Sequence, residues 1–593
     1  MKKWISPLVL LPLALFCGRS NSYVSTNRPD ITPEDLQAQI MLLASDSLQG
    51  REAGSAGEAL ATDFLVREFQ AYGLQPAGTD GGFVQPFTLI KGSIPTPEGS
   101  FIQSGELSFT SADSSVFPYA TSKPGEVSGL LAFAGYGIVD SSKNWNDFAG
   151  VDFTGHIAVI FRYGPDGADN PHSEFSSHWG IRKKVRNAAA AGAAGVILVL
   201  GPNHSGKPGI LPLKEDRFAA EEELPILQMK LSAATQLAAD AGISLTNLQT
   251  TIDRKKQPAP ALSKRAVTVH AGIQKDRREA KNVVGMIRGN EHPEKYVVIG
   301  AHYDHLGYGD NGSLYAGPEP KIHNGADDNA SGTAGLLELA AWFVKHPPKH
   351  SLVFMAFSGE ELGLLGSDYW VKNPTLPLEN IRAMINMDMI GRSTDRNLQI
   401  FGVGSSADWT ALIDAANDDS LRLTKTPDGT GASDHTSFYN ARIPVLHYFT
   451  GTHSDYHRPS DDAQYVNYTG TALVLEHVRR LVDAIDALPA DKLAYTEAPV
   501  TQTRRVAMTG ITLGVLPDYG FAGPGFRITG TSEGKPGAKI GMKAGDVIHN
   551  INGLPIKDIY DYMESLNTVK KGSTLTVEIE REAKRLKLEM KVE

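Results

Sequence analysis

The spacing of apolar positions changes several times along the chain. Behind Lys2 and Lys3, residues 4–16 are almost continuously apolar, with Leu8, Val9, Leu10, Leu11 and Leu13 among them, and polar residues follow from Arg19. A bilayer span needs about 20 apolar residues, so this run is too short for one and has the layout of an export signal. Further on the spacing becomes helical: Leu60, Phe64, Leu65, Phe69 and Tyr72 share one face, and Gly73 ends the pattern. Between 116 and 262 short apolar runs appear at 130–133, 157–161 and 195–200, the last behind an Ala-rich helical stretch at 182–194. They predict a small strand-rich module with a helix or two. The basic, Pro-containing stretch 254–260 reads as its exit linker. Between 263 and 490, buried-strand patterns at 297–300, 352–357, 383–387 and 444–449 occur with helical ones at 334–344 and 473–485. That alternation predicts an α/β sandwich with a mostly parallel sheet. The last unit is Gly-rich over 514–545 and alternates like a strand over 574–592.

Composition narrows this picture. The 593 residues suggest three to four domains at about 150 residues each. With 41% hydrophobic and 21% charged residues, wholesale disorder is excluded. A net charge of −10 gives no basic footprint for nucleic acid. The single cysteine, Cys17, excludes an intramolecular disulfide. It stands where a lipoprotein signal places its lipidated cysteine, although bulky Phe16 precedes it; a cut after Ser22 would remove it with the signal. On either reading the body is expected outside the cytoplasm, periplasmic or secreted, with a lipid on Cys17 as its only membrane contact.

Candidate metal ligands fall in five segments, most of them at the ends of the predicted strands. His302 and Asp304 follow the run 297–300; Asp327 and Asp328 stand before a helix; Glu360 and Glu361 follow 352–357; Asp388 follows 383–387; His457 follows 444–449 by a loop. Each piece alone has an ordinary reading as a turn or a solvated surface pair. Together they matter, because sites in doubly wound sheets form outside the carboxyl ends of the strands. Imidazole with carboxylate suits zinc, and the set exceeds what one tetrahedral ion needs. A shared Asp can bridge two ions about 3.5–4 Å apart. Of the Glu pair, the second can bind metal while the first stays free as a base.

The motifs AHYDH at 301–305, GADDNASG at 325–332, SGEELGLLGS at 358–367, NMDMIG at 386–391 and DYH at 455–457 resemble those of the co-catalytic zinc aminopeptidases, metallopeptidase family twenty-eight. The resemblance implies two zinc ions per chain, one held by His302 and Asp388, the other by Glu361 and His457, with Asp328 bridging. Asp328 is chosen over Asp327 because it stands four residues before the Gly of Asn-Ala-Ser-Gly. Glu360 would be the general base, Asp304 would orient His302, and Tyr456 would donate to a developing oxyanion. His305, His323, His435 and His453 are read as supporting or loop residues, not ligands. Asp434 is read as orienting the site, and Arg392 as contacting substrate or pairing with a surface acid. The implied activity is hydrolysis of peptide or protein substrates, by an aminopeptidase in the first instance. A carboxypeptidase and a non-catalytic peptide-binding scaffold of the same fold are the alternatives.

Two further resemblances complete the organisation. Residues 116–262 resemble a protease-associated (PA) domain through Gly135-Tyr136-Gly137 and the stretch 185–197; it would filter substrates at the site's mouth. Residues 503–593 resemble a PDZ domain through PGAKIGMKAGDVI at 536–548 and Asn552-Gly553, with Pro524-Gly525-Phe526 as its carboxylate-binding loop. Such a groove takes C-terminal peptides as an added strand. The expected order is a signal at 1–22, the first part of a zinc-exopeptidase α/β domain at 30–115, the PA insertion at 116–262, the rest of the peptidase at 263–490, and the PDZ domain at 503–593.

Overall fold

The computed structural model describes residues 30–498 and 513–592, apart from 168–169, 171–172, 205–206, 208, 214–219, 490–491, 519–520, 522, 532–534, 568 and 570–571. The expected export signal, Cys17 and the first residues of the C-terminal unit lie outside the described residues. No helix among the described residues is long and apolar enough to cross a membrane.

The site is carried by a nine-stranded mixed sheet. Its strands are β1 (Gln75–Pro76), β2 (Val84–Pro95), β3 (Ile273–Ile287), β4 (His292–His302), β5 (His350–Phe357), β6 (Ile381–Met387), β7 (Asn397–Phe401), β8 (Arg422–Thr426) and β9 (Val445–Phe449). The order is β1-β3-β5-β4-β6-β9-β7-β8, with β2 also paired to β3. The central four, β5, β4, β6 and β9, are parallel, and the sheet turns antiparallel outside them. Every residue of β5 and β6 is buried, as a parallel strand covered on both faces requires. Alternate side chains serve the two layers. Val297 and Ile299 pack with the helices Pro33–Leu43, Ala56–Tyr72, Gly332–Lys345 and Tyr468–Asp486. Tyr296 and Val298 pack against Trp370 and Phe438 on the other face. At Gly300 the neighbours leave no room: a Cβ would lie 2.7 Å from Phe357 and 2.8 Å from Met384. A side chain here would have to displace the Phe357 ring and the Met384 methyl group.

The inserted module stands on two strands that run side by side. β2 and β3 are antiparallel from Val84↔Val283 to Ile273↔Pro95, with one irregularity at Asp276/Arg277. Beyond them lies a second, eight-stranded sheet. It reaches past 116–262 on both sides, taking in Phe101–Ser104, Leu107–Thr110 and Ala261–Ala271. The expected exit linker is thus internal to the module. Arg254 and Lys255 end the helix Leu245–Lys255, and the chain then returns as the strand Ala261–Ala271, whose Val267, Val269 and Ala271 are buried.

The C-terminal unit has its own core, including Leu513, Ile528, Ile548, Ile551, Val577 and Ile579. Pro524-Gly525-Phe526 leads straight into the paired strand Phe526–Thr531, and the Gly525 amide donates to the Lys557 carbonyl at 3.3 Å. That amide is committed to the fold and is not open to a carboxylate.

Charged groups join this unit to the inserted module. Arg182, at the start of the helix Ile181–Ala190, reaches Glu222 at 2.9 Å and Asp558 at 2.7 Å. One turn on, Arg186 pairs with Asp561, and Lys557 reaches Glu223 at 2.8 Å. Asp558 also accepts the Ala220 amide at 2.6 Å and the Asp561 amide at 3.0 Å, so the same carboxylate caps the helix Ile559–Asn567.

Candidate metal centre

The parallel strands bring the five ligand segments to one edge of the sheet. His302 is the last residue of β4, Asp388 follows β6 directly, and Glu360 and Glu361 lie just beyond β5. Asp328 comes from the irregular helical turn Ala326–Ser331, and His457 from the loop after β9.

Asp328 sits between the two imidazoles. Its Oδ1 is 3.4 Å from His302 Nε2, and its Oδ2 is 3.3 Å from His457 Nε2. His302 Nε2 is also 3.3 Å from Asp388 Oδ1, and His457 Nε2 is 3.2 Å from Glu361 Oε2. With zinc–ligand bonds of about 2.0–2.1 Å, the edge of a tetrahedron is about 3.3 Å. All four separations match that edge, and one carboxylate takes part on both sides. His302 Nε2 and Asp388 Oδ1 are buried without a hydrogen-bond partner, as atoms waiting on a cation would be. The donor set and its spacing therefore fit two zinc ions. Asp327, by contrast, faces away: its Oδ1 accepts the Gly391 amide at 2.6 Å, and its Oδ2 lies 3.2 Å from His453.

The electrostatics follow from crowding carboxylates out of water. Burial drives Glu360 well above the usual carboxylate range, and Asp388, Glu361 and Asp434 add to the rise. Burial also pushes Asp434 up to about 7. For Asp328 burial acts upward too, but the imidazoles of His302, His457 and His305 around it hold it well below its usual value. Against its own burial, His457 is pushed up to about 10 by Asp328 and Glu361.

The other expected residues divide. Glu360 Oε2 is 4.0 Å from His302 Nε2, close enough to serve a reacting water there, and its amide donates to Asp304 Oδ1 at 3.2 Å. His302 Nδ1 is 3.2 Å from the Asp304 carbonyl oxygen and 3.7 Å from its carboxylate, so the backbone of Asp304 supplies the closer acceptor. Tyr456 stacks on His457 with centroids 3.8 Å apart. Burial and the nearby carboxylates raise its hydroxyl's pKa, which keeps it a donor. Asp434 is fully buried beside the cluster. Arg392 pairs with buried Asp461 and with Asp455, both at 3.3 Å. His323 binds Ser313, His435 stacks on His447, and His453 faces Asp327. His305 is more intimately placed, with Nδ1 2.6 Å from Glu361 Oε1.

Three contributors are absent from the sequence reading. Ser433 donates to Asp388 Oδ2 at 2.8 Å and accepts from Asn386. Asp461 Oδ2 accepts the amides of both Asp327 and Asp328, at 2.9 and 3.1 Å. Arg51 is wholly buried and donates to the carbonyls of Leu43, Tyr303, Asn324 and Gly325, tying together the two ends of the loop that runs from His302 to the turn of Asp328. Burial lowers it to about 10, with Asp304 and Asp328 opposing the fall. Only for Ser433 was a signal at hand, in its position beside Asp434.

Three family models match the chain. Residues 282–482 match Peptidase family M28, residues 126–237 the PA domain and residues 509–592 a PDZ domain. Among curated proteins, a probable zinc metalloprotease of Pyrenophora teres f. teres is 39% identical over 149 residues, 24% of this chain and 30% of the relative. Aminopeptidase YwaD of Bacillus subtilis is 27% identical over 301 residues, 48% of this chain and 55% of the relative. An aminopeptidase of Pseudomonas aeruginosa is 30% identical over 304 residues, 49% of this chain and 48% of the relative. The matched regions thus span from about a third to about half of these relatives' lengths.

Proposed function

We propose, from the premise that the chain carries a peptidase family M28 domain with an inserted PA domain and a C-terminal PDZ domain, that it is an exported two-zinc aminopeptidase. The carrying observation is Asp328, whose two oxygens face two imidazoles at 3.4 and 3.3 Å. Zinc, when bound, supplies Lewis acidity that polarises a carbonyl and acidifies water. His302, Asp388 and Asp328 would hold one ion, and His457, Glu361 and Asp328 the other. Glu360, with Oε2 4.0 Å from His302 Nε2, is placed to take the proton of the attacking water and hand it to the leaving amine. Tyr456 offers its hydroxyl to the oxygen on which negative charge develops.

Two relatives that are aminopeptidases favour action at the amino end of a peptide. A carboxypeptidase needs a cation for the terminal carboxylate. Arg51 is engaged by four carbonyls, and Arg392 by Asp455 and Asp461. Asp434, buried beside the cluster and assigned neither to an ion nor to the water proton, is the carboxylate left for an α-ammonium group. We also assign the chain to the cell exterior through residues 1–22, and to the PDZ domain C-terminal peptides added as a strand, with a carboxylate held by amides other than that of Gly525.

The test is hydrolysis of free and N-acetylated aminoacyl amides and short peptides, with and without zinc, beside Glu360→Gln. Free-amine substrates alone should be cleaved, and Glu360→Gln should lower kcat by about 10²–10⁴-fold with zinc content unchanged. Cleavage of N-acetylated peptides from the free carboxyl end would overturn the aminopeptidase assignment. Undiminished turnover in Glu360→Gln would overturn the assignment of the base.

A further inference from the structure

The second histidine of the AHYDH motif, His305, is completely buried, and its position is closely set. Its amide donates to the Arg51 carbonyl at 3.3 Å, and its ring meets that of His457 at 73° with centroids 5.9 Å apart. Gly325 presses on it from the loop that leads to Asp328: a Cβ there would come within 2.5 Å of the ring.

The distance from His305 Nδ1 to Glu361 Oε1 identifies what the ring does. Two atoms bound to one zinc lie about 3.3 Å apart in a tetrahedron and about 2.9 Å apart at a right angle. The observed separation is 2.6 Å, shorter than either and within hydrogen-bond range, whereas Nδ1 lies 3.9 Å from Asp328 Oδ2. A carboxylate oxygen at that separation calls for an N–H, so Nδ1 is read as a donor, although His305, Asp328 and Glu361 stand close enough together to hold a cation. His305 Nε2 is buried with no hydrogen-bond partner, which a bare lone pair tolerates better than a buried N–H would. The two oxygens of Glu361 then have different tasks: Oε1 is held by His305, while Oε2 lies 3.2 Å from His457 Nε2.

We propose that His305 is a positioning residue for the second zinc, its Nδ1–H holding Glu361 Oε1 so that Glu361 presents Oε2 alone to the ion shared with His457 and Asp328. This rests on the two-zinc reading above.

Zinc titration against a competing chelator, on the full chain and its His305→Ala, His305→Asn and His305→Gln variants, tests it. The Asn amide nitrogen falls where Nδ1 lies in His, whereas the Gln amide falls near Nε2. Wild type should take up two zinc ions. His305→Ala and His305→Gln should keep the first affinity and lose about 10–100-fold in the second, and His305→Asn should recover it to within about threefold. Second-site affinity unchanged in His305→Ala overturns the inference. So does a loss in His305→Asn as large as in His305→Ala, since the imidazole would then act as a ligand or as packing. Uptake of one zinc by wild type would instead end the two-zinc reading itself, and the inference with it. If His305→Ala does not fold, the comparison of Asn with Gln decides the matter alone.

Discussion

Replacing Asp461 by Ala should loosen the turn that holds Asp328 without removing an atom that faces either imidazole. Asp461 has no exposed surface. One of its oxygens accepts the Asp327 and Asp328 amides at 2.9 and 3.1 Å, and the other accepts Arg392 at 3.3 Å. A buried amide stripped of its acceptor costs about 1–3 kcal/mol, so the two together cost about 2–6 kcal/mol. An opposing effect exists. Burial pushes Asp461 up to about 6 and Asp327 adds to the rise, so removing it relieves some repulsion. The lower part of the range, about 2–4 kcal/mol, is therefore expected, which corresponds to about 30- to 1000-fold. Three separate cores make a single unfolding midpoint a poor probe, so the assay is hydrogen exchange over residues 325–332. Exchange there should accelerate by that factor in Asp461→Ala. In Asp461→Asn the effect should be smaller, because one carbonyl oxygen can still accept both amides while the NH₂ group opposes Arg392. Unchanged exchange in Asp461→Ala would refute the clamp, and equal loosening in both variants would show that charge, not the acceptor, matters.

Two further outcomes are expected. Glu338 is buried in the helix Gly332–Lys345 and accepts from Gln39 at 2.6 Å; burial pushes it up to about 8, with Asp35 adding to the rise. A carboxyl raised in the folded state favours folding while protonated and loses that stability as pH climbs from its unfolded value of 4.5 through about 8. Glu338→Gln should therefore raise the stability of the peptidase domain by about 2–4 kcal/mol at pH 9 and far less at pH 5, as followed by that domain's own transition in calorimetric scans; an equal gain at both pH values would sink the argument. The double variant Arg182→Ala/Arg186→Ala should free the C-terminal domain from the PA helix, enlarging the radius of gyration in X-ray scattering. An unchanged scattering profile would mean that these pairs do not hold the two domains together.

The candidate ligand segments were legible because most lie beside a local pattern: His302, Glu361 and Asp388 stand at or just beyond apolar runs that read as buried strands and are strands. The supports were not legible, because they act through main-chain groups far away in sequence. Arg51 speaks to the carbonyls of residues 303, 324 and 325, and nothing in Gln49-Gly50-Arg51 announces that. Gly50 is required there for a related reason: with φ at +69°, a Cβ would lie 2.6 Å from the carbonyl oxygens of Gly307 and His323. The extent of the PA sheet was hidden for the same cause. Phe101–Ser104 and Ala261–Ala271 are neighbours only through pairing across the whole insertion, while Pro258 and Pro260 mimic a linker. Arg392 read as a surface or substrate residue because its buried partner, Asp461, sits in a loop whose depth no periodicity reveals.

The charged contacts between the PA helix and the PDZ domain complete a ring: peptidase to PA through the paired strands β2 and β3, PA to PDZ through Arg182 and Arg186, and PDZ back to the peptidase through the chain between Asp486 and Leu513. Closing such a ring is an intramolecular event, for which effective concentrations are on the order of 1 mM. A contact with a dissociation constant of only about 0.1 mM would then be closed about nine-tenths of the time. Losing one charge-assisted hydrogen bond of about 2 kcal/mol weakens it about 30-fold and leaves the ring mostly open. The contact of the PA helix with the PDZ domain thus draws on ionic pairs of ordinary strength, and a competitor for either arginine needs only that much binding energy to open it.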